Sequence, residues 1–277
     1  MALFKSGRRR AEEEYLSVTE KPSMERQLGF YIANLQGLGA RERQEDSFTV
    51  ANAFDVMKIR EEGLLFAVCD GMGGMKDGKL ASETAVRSLR QSFLEMNRSG
   101  DIAAQLRESV FQASYRVEEL IGGDGGSTVV MGILYQGGLY YASVGDSFLY
   151  LLRDGVLLRL NAEHNLLHQR YLESLREGDM DPLSLYGLPE GAALTAFLGM
   201  TGLAEADCSM RPLPLNEGDV LLACSDGVGG VLSPEEVSAA LRREGVEAMC
   251  AELEERIVLH NKPNQDNYTA IAVKCVL

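Results

Sequence analysis

Six consecutive apolar residues, Leu64-Leu65-Phe66-Ala67-Val68-Cys69, run without alternation into Asp70-Gly71-Met72-Gly73-Gly74. A strand with one wet face alternates apolar and polar side chains, so this unbroken run reads as a strand buried on both faces. That requirement limits the chain to folds with cover on either side of the strand. The run also delivers a carboxylate, Asp70, at the point where it ends. The glycines that follow release the backbone from side-chain sterics, so the main chain can fold close to whatever Asp70 holds. A carbonyl in such a turn suits a hard cation as an oxygen ligand.

The same arrangement recurs along the chain. Val220-Leu221-Leu222-Ala223-Cys224-Ser225 ends in Asp226-Gly227, and Tyr140-Tyr141-Ala142-Ser143-Val144-Gly145 ends in Asp146-Ser147. Two further acidic positions open strands: Glu45-Asp46 precedes Ser47-Phe48-Thr49-Val50, and Asp266 precedes Asn267-Tyr268-Thr269-Ala270-Ile271-Ala272-Val273. In an antiparallel sheet the end of one strand lies beside the start of its neighbour. Acids at exits and entrances can therefore gather along one edge. Five or six carboxylates brought together repel one another unless a multivalent cation sits among them.

Helical patterns lie between these strands. Residues 77–96 carry the stripe Leu80, Ala81, Thr84, Ala85, Leu89 and Phe93, and residues 101–120 carry Ile102, Leu106, Val110, Ala113, Val117 and Leu120. Strands are expected at 29–35, 127–135, 139–144, 147–152, 156–160, 208–211 and 219–224, with a hairpin turn at Arg153-Asp154-Gly155. Helices are expected at 162–176, after the Ser233-Pro234 cap, and at 246–260. Strands, two helices, strands, then two helices and a last strand predict an α+β fold. In it, two antiparallel sheets pack face to face as a central β-sandwich, flanked by pairs of helices. Residues 1–26 are charged and aperiodic and read as a mobile tail; residues 27–277 read as one domain, with no internal repeat and no dividing linker.

Net charge is −14, and the one basic cluster, Arg8-Arg9-Arg10, lies in that tail. A nucleic-acid partner would call for a basic face, so none is expected. No apolar run approaches membrane-spanning length, and residues 1–14 hold no apolar signal core, which leaves a cytoplasmic location and no membrane partner as the expectation. The five cysteines, Cys69, Cys208, Cys224, Cys250 and Cys275, are odd in number and form no C-x-x-C pair. They read as small buried hydrophobes in a reducing compartment. Gly122–Gly126 lacks the lysine of a phosphate-binding loop. His164 and His168, four apart, read as an ordinary helical surface, with no third zinc ligand in view.

Taken in order, Arg41-x-x-x-Glu45-Asp46-Ser47, Asp70-Gly71-Met72-Gly73-Gly74, Gly126-Ser127-Thr128, Gly145-Asp146-Ser147, Ser225-Asp226-Gly227 and Gln265-Asp266-Asn267-Tyr268 resemble the motifs of the metal-dependent protein phosphatases of the 2C type. The likeness covers about residues 29–276, and the compact length is similar to that of bacterial members. It implies the sandwich fold expected above, with a flap at about 161–191. It also implies two Mn²⁺ or Mg²⁺ ions: Asp70 bridges them, Asp226 and Asp266 complete the first, and Glu45 and the Gly71 carbonyl serve the second with Asp46 in support. Asp146 matches the position that, with Asp226, holds a third, weaker ion. Arg41 would hold the substrate phosphate by a bidentate contact.

The implied reaction is hydrolysis of phosphoserine and phosphothreonine in proteins by a metal-bridged hydroxide, with no covalent enzyme intermediate. Arg41 and the ions would offset phosphoryl charge. The implied partners are phosphorylated substrates of a serine/threonine kinase, met by a monomer. Two rivals share the scaffold: a phosphatase for a specific small phosphate ester or an anti-sigma antagonist, and a binding module without catalysis. In this chain Met72 stands where many members carry histidine, and Phe148 follows Gly145-Asp146-Ser147 where arginine is usual.

Overall fold

The computed structural model describes residues 28–72, 78–122, 125–178 and 190–277. The proposed tail, Gly73-Gly74 and the centre of the proposed flap lie outside the described residues. The chain opens with β1 (Gly29–Gly37), β2 (Ser47–Ala51), α1 (Val56–Glu62), β3 (Leu64–Cys69) and β4 (Gly71–Met72). Two helices follow, α2 (Gly78–Glu95) and α3 (Ile102–Ile121), then β5 (Gly126–Ser127), β6 (Val129–Tyr135), β7 (Gly138–Val144), β8 (Phe148–Arg153) and β9 (Val156–Arg159). The last part contains α4 (Leu166–Glu177), β10 (Asp207–Cys208), β11 (Leu213–Pro214), β12 (Val220–Cys224), α5 (Asp226–Gly229), α6 (Pro234–Leu241), α7 (Val246–His260) and β13 (Tyr268–Val276).

One sheet has the order β1-β13-β12-β8-β9 and the other β10-β7-β6-β3-β2, with β11 also paired to β7. The pairings within both sheets are antiparallel. The six residues of β3 are all buried, and they divide by parity as a doubly covered strand must. Leu64, Phe66 and Val68 pack against Leu149, Leu151, Leu221, Ala223, Ile271 and Val273 of the facing sheet. Leu65, Ala67 and Cys69 pack instead with Ala85, Leu89 and Phe93 of α2 and with Leu106 and Val110 of α3. On the far side, Tyr150, Leu222 and Ala272 pack with Val237, Leu241, Met249, Leu253 and Ile257 of α6 and α7. The α+β sandwich with helices outside is the observed architecture.

Several boundaries differ from the sequence reading, each for a local reason. Helix α1 was not legible because none of its residues is buried; its stability comes from Asp55, whose carboxylate accepts the Met57 and Lys58 N–H groups at 3.1 Å. Leu80 and Leu120 are 39% and 53% exposed, outside the stripes they were assigned to. Ser82 and Ser88 occupy the buried face of α2 instead, Ser82 because its hydroxyl bonds back to the strand segment beneath it. Helix α4 begins at Leu166, capped by Asn165, because residues 162–165 run extended against Gly145 and Asp207. His164 therefore precedes the helix and shares no helical face with His168. Strand β10 ends at Cys208, where Ser209 bonds to Tyr141 through both its N–H and its hydroxyl. Ser233 forms the expected cap, completed into a reciprocal box by Glu236. Among the described residues no helix is long and apolar enough to cross a membrane.

Candidate active site

The register of the sheets decides which acids meet. Ser47 pairs with Cys69, so Asp46, at the entrance of β2, lies one step beyond the pair, beside Asp70 at the exit of β3. In the other sheet Cys224 is opposite both Ala270 and Phe148, so Asp226 leaves β12 between the entrance of β13 and the entrance of β8. Ser225 joins the two sheets at this edge. Its hydroxyl donates to Asp46 Oδ2 at 2.9 Å and accepts the Thr269 N–H at 3.0 Å.

Asp70 is held by its main chain. Its carbonyl accepts the Thr128 N–H at 2.8 Å and the Ser127 hydroxyl at 2.9 Å, and its own N–H donates to Thr128 Oγ1 at 3.1 Å. This clamp explains why the strand expected at 127–135 is broken: β5 leaves the sheet to pair with β4, and Thr128 sits at the break. Thr128 Oγ1 also lies 2.7 Å from Ser147 Oγ, next to Asp146. Gly71 has no room for a side chain, since a Cβ there would come 2.1 Å from the Gly78 carbonyl oxygen and 2.6 Å from that of Glu45. The Glu45 N–H donates to Asn267 Oδ1 at 2.8 Å, which ties the Glu45-Asp46 turn to the segment carrying Asp266.

Asp70 lies in the field of Asp46, Asp226 and Asp266. Burial, reinforced by the charges of Asp46, Asp226 and Asp266, raises Asp70 well above the usual carboxylate range. Burial likewise lifts Asp46 to about 6, against the hydrogen bonds from Thr269 and Ser225 and together with the charge of Asp226. Asp226 is raised by burial and by the charge of Asp266. Asp146 is raised to about 6, by burial first and the charge of Asp226 second. In each case burial comes first and a neighbouring carboxylate adds to it, so the charged forms are disfavoured by their surroundings and by one another.

Two buried oxygens, Asp46 Oδ1 and Asp226 Oδ1, have no hydrogen-bond partner. Buried carboxylate oxygens without a donor are costly, and an oxygen-only donor set beside a glycine carbonyl suits a hard divalent cation. Among the described residues, however, no three His, Cys, Asp or Glu side chains are spaced to enclose one ion. Both oxygens of Asp266 are engaged: Arg41 Nη2 lies 2.6 Å from Asp266 Oδ2, and Asp266 Oδ1 accepts the Asn267 N–H at 2.8 Å. The guanidinium thus neutralises one of the acids assigned to the ion.

Two neighbours of the site were not found from sequence. Lys79, in the first turn of α2, donates from Nζ to the Asp46 carbonyl at 2.8 Å and to Ser47 Oγ at 3.0 Å. Arg159, at the end of β9, lies 4.1 Å from the Phe148 ring centroid and 2.9 Å from Glu163, and its charge acts on Asp146. The Arg159 guanidinium thus stacks on Phe148, the residue that follows Ser147, and its charge offsets a small part of what raises Asp146. Neither residue carries a local pattern, because each is recruited by packing. Cys69 and Cys224 are pushed up by burial, Cys224 to about 12, so both remain thiols beside the acids.

A sandwich with acids gathered at one edge defines the class of metal-dependent phosphatases that the motifs resemble. Residues 42–262 match the family model for protein phosphatase 2C, and the chain belongs to that family. It is 31% identical over 195 residues to the serine/threonine phosphatase stp of Listeria monocytogenes, covering 68% of this chain and 75% of that protein. Its fold matches PppA, described as a key regulatory component of T6SS in Pseudomonas aeruginosa. The TM-score is 0.71 and the identity 26%, over 89% of this chain and 97% of that one. It also matches the catalytic domain of the serine/threonine protein phosphatase PstP in complex with two manganese ions. There the TM-score is 0.68 and the identity 25%, over 90% of this chain and all of that one.

Proposed function

We propose that this protein hydrolyses phosphoserine and phosphothreonine in proteins, using Mn²⁺ or Mg²⁺ that Asp70, Asp226 and Asp266 would hold at the sandwich edge. The observation that carries this reading is a set of carboxyls at one sandwich edge, Asp46, Asp70 and Asp226, of which Asp46 and Asp226 each keep one buried oxygen without a hydrogen-bond partner. Family membership and the manganese complex of PstP support it.

Asp70, Asp226 and Asp266 would hold one ion, and Asp70, Glu45 and the Gly71 carbonyl the other. Asp46 would support that second group, and Asp146, with Asp226, would hold a third and weaker ion. When bound, paired divalent ions generate a nucleophile from water at neutral pH and offset charge on the phosphoryl oxygens. The chain's own contribution is placement. Thr128 and Ser127 fix the Asp70 main chain, and Ser225 sets Asp46 against it. Arg41, 55% exposed, turns from Asp266 to the substrate phosphate, where its planar fork fits two oxygens. Hydrolysis by activated water needs no covalent enzyme intermediate, and the nearby cysteines, buried and protonated, are poor nucleophiles.

In this reading residues 27–277 act as one phosphatase domain, a cytoplasmic monomer whose substrates are products of a serine/threonine kinase. The test is phosphate release from phosphoserine and phosphothreonine peptides, with a small phosphate ester alongside. Release that needs added Mn²⁺, stops in chelator and favours the peptides supports the reading. Undiminished release in excess chelator refutes it, and a preference for the small ester refutes the substrate class.

A further inference from the structure

We infer that Lys79 is a positioning residue for the Glu45–Gly71 half of the site, acting through the main chain of Glu45-Asp46. The inference rests on the assignment of Glu45 and Gly71 to a divalent ion made above. Lys79 Nζ reaches the Asp46 carbonyl at 2.8 Å and Ser47 Oγ at 3.0 Å. Hydrogen bonds from an ammonium are about twice as strong as neutral ones, and these two end on a carbonyl and a hydroxyl rather than on a site carboxylate. Lys79 therefore acts by holding the turn, not by neutralising it.

The first turn of α2 bears on the same segment in two further ways. Ser82 Oγ donates to the Glu45 carbonyl and lies 2.9 Å from Ser47 Oγ. Gly78 abuts both groups assigned to the ion: a Cβ there would come 2.9 Å from the Gly71 carbonyl oxygen and 3.2 Å from Glu45 Cδ. From the opposite side Asn267 holds the Glu45 N–H. Glu45 and Gly71 are thus gripped between α2 and the entrance of β13.

Of the α2 contacts, Lys79 alone can be removed without opening a packed surface. Ser82 is fully buried and Gly78 has no free space, whereas the Lys79 side chain is 42% exposed. Its ion pair with Glu83, at 3.9 Å, is exposed and weak.

The experiment is a calorimetric titration of Mn²⁺ into wild type, Lys79→Gln and Lys79→Arg without substrate, with thermal melts of each in chelator. Removing a hydrogen-bonding support of a metal ligand typically weakens metal binding by about 10- to 100-fold. Lys79→Gln is therefore expected to weaken one of two Mn²⁺ steps by about that factor, leave the other within about twofold, and melt like wild type in chelator. Lys79→Arg, which keeps a cationic donor, is expected to recover most of the loss. Wild-type affinity in Lys79→Gln, equal weakening of both steps with a lowered melt, or no recovery in Lys79→Arg overturns the inference and leaves the Mn²⁺ reading standing. A wild type that takes up no Mn²⁺ overturns both.

Discussion

Asp46→Asn in chelated protein is expected to raise stability at neutral pH and to do nothing comparable in acid. Asp46 is fully buried, and burial together with the charge of Asp226 lifts its carboxyl from 3.8 to about 6. Between those values the folded chain holds a proton that the unfolded chain has released. The native state binds more protons, so stability falls as pH rises through this window and stays low above it. A shift of roughly two units corresponds to about 3 kcal/mol of stability that the carboxylate form lacks at neutral pH. Asparagine carries no charge at any pH and keeps an oxygen for the Ser225 hydroxyl. Any fixed effect of its amide is the same at every pH, so the change in the mutant-minus-wild-type difference reports the carboxyl together with the relief its removal gives Asp70, which has the same sign. For a domain of about 250 residues each kcal/mol moves Tm by roughly 2–4 °C, which gives about 6–12 °C between pH 3.5 and pH 7.5. The assay is thermal unfolding of both proteins in EDTA across that range. A difference that does not change with pH, or that grows toward acid, refutes the reasoning. Saturating Mn²⁺ is expected to shrink or reverse the advantage, because the ion then supplies what the proton supplied.

Other consequences can be measured directly. Asp226→Asn is expected to abolish turnover even at saturating Mn²⁺, whereas Arg41→Ala mainly raises KM; equal loss of kcat in both contradicts the assigned roles. Arg41→Ala is also expected to tighten Mn²⁺ binding slightly, by no more than about fivefold, because an exposed ion pair with Asp266 is worth roughly 0.2–1 kcal/mol. Unchanged or weaker binding by calorimetry would argue against competition for that carboxylate. Thr128→Val leaves the buried Asp70 N–H and Ser147 hydroxyl each without a partner and is expected to cost about 1–3 kcal/mol by urea unfolding, along with most of the activity. Alkylation under native conditions is expected to leave activity intact, since burial pushes all five thiols up; rapid inactivation would contradict this.

The parts of the fold legible in sequence are those where burial leaves a local pattern. Leu64–Cys69 and Val220–Cys224 read as doubly buried strands because every residue in them is covered. The acids were legible for the same reason: a carboxylate where an apolar run stops is conspicuous, and antiparallel pairing brings exits beside entrances. Helix α1 left no trace because it covers only Ile59, and that only partly, and it is capped by Asp55. Leu80 was misassigned because the stripe of α2 accepts serines where hydroxyls meet the Glu45-Ser47 segment. Lys79 reaches a carbonyl 33 residues away, and Arg159 stacks on Phe148 of a neighbouring strand. Such contacts exist only after the sheets have formed. The Arg41–Asp266 pair was also invisible, since both residues carried separate roles in the reading.

The most direct test is an anomalous-scattering map from crystals soaked in Mn²⁺. Two strong peaks are expected beside Asp70, one shared with Asp226 and Asp266 and the other with Glu45 and the Gly71 carbonyl, with Arg41 released from Asp266. An empty edge at saturating Mn²⁺, or ions bound only elsewhere on the acidic surface, would contradict the proposed chemistry.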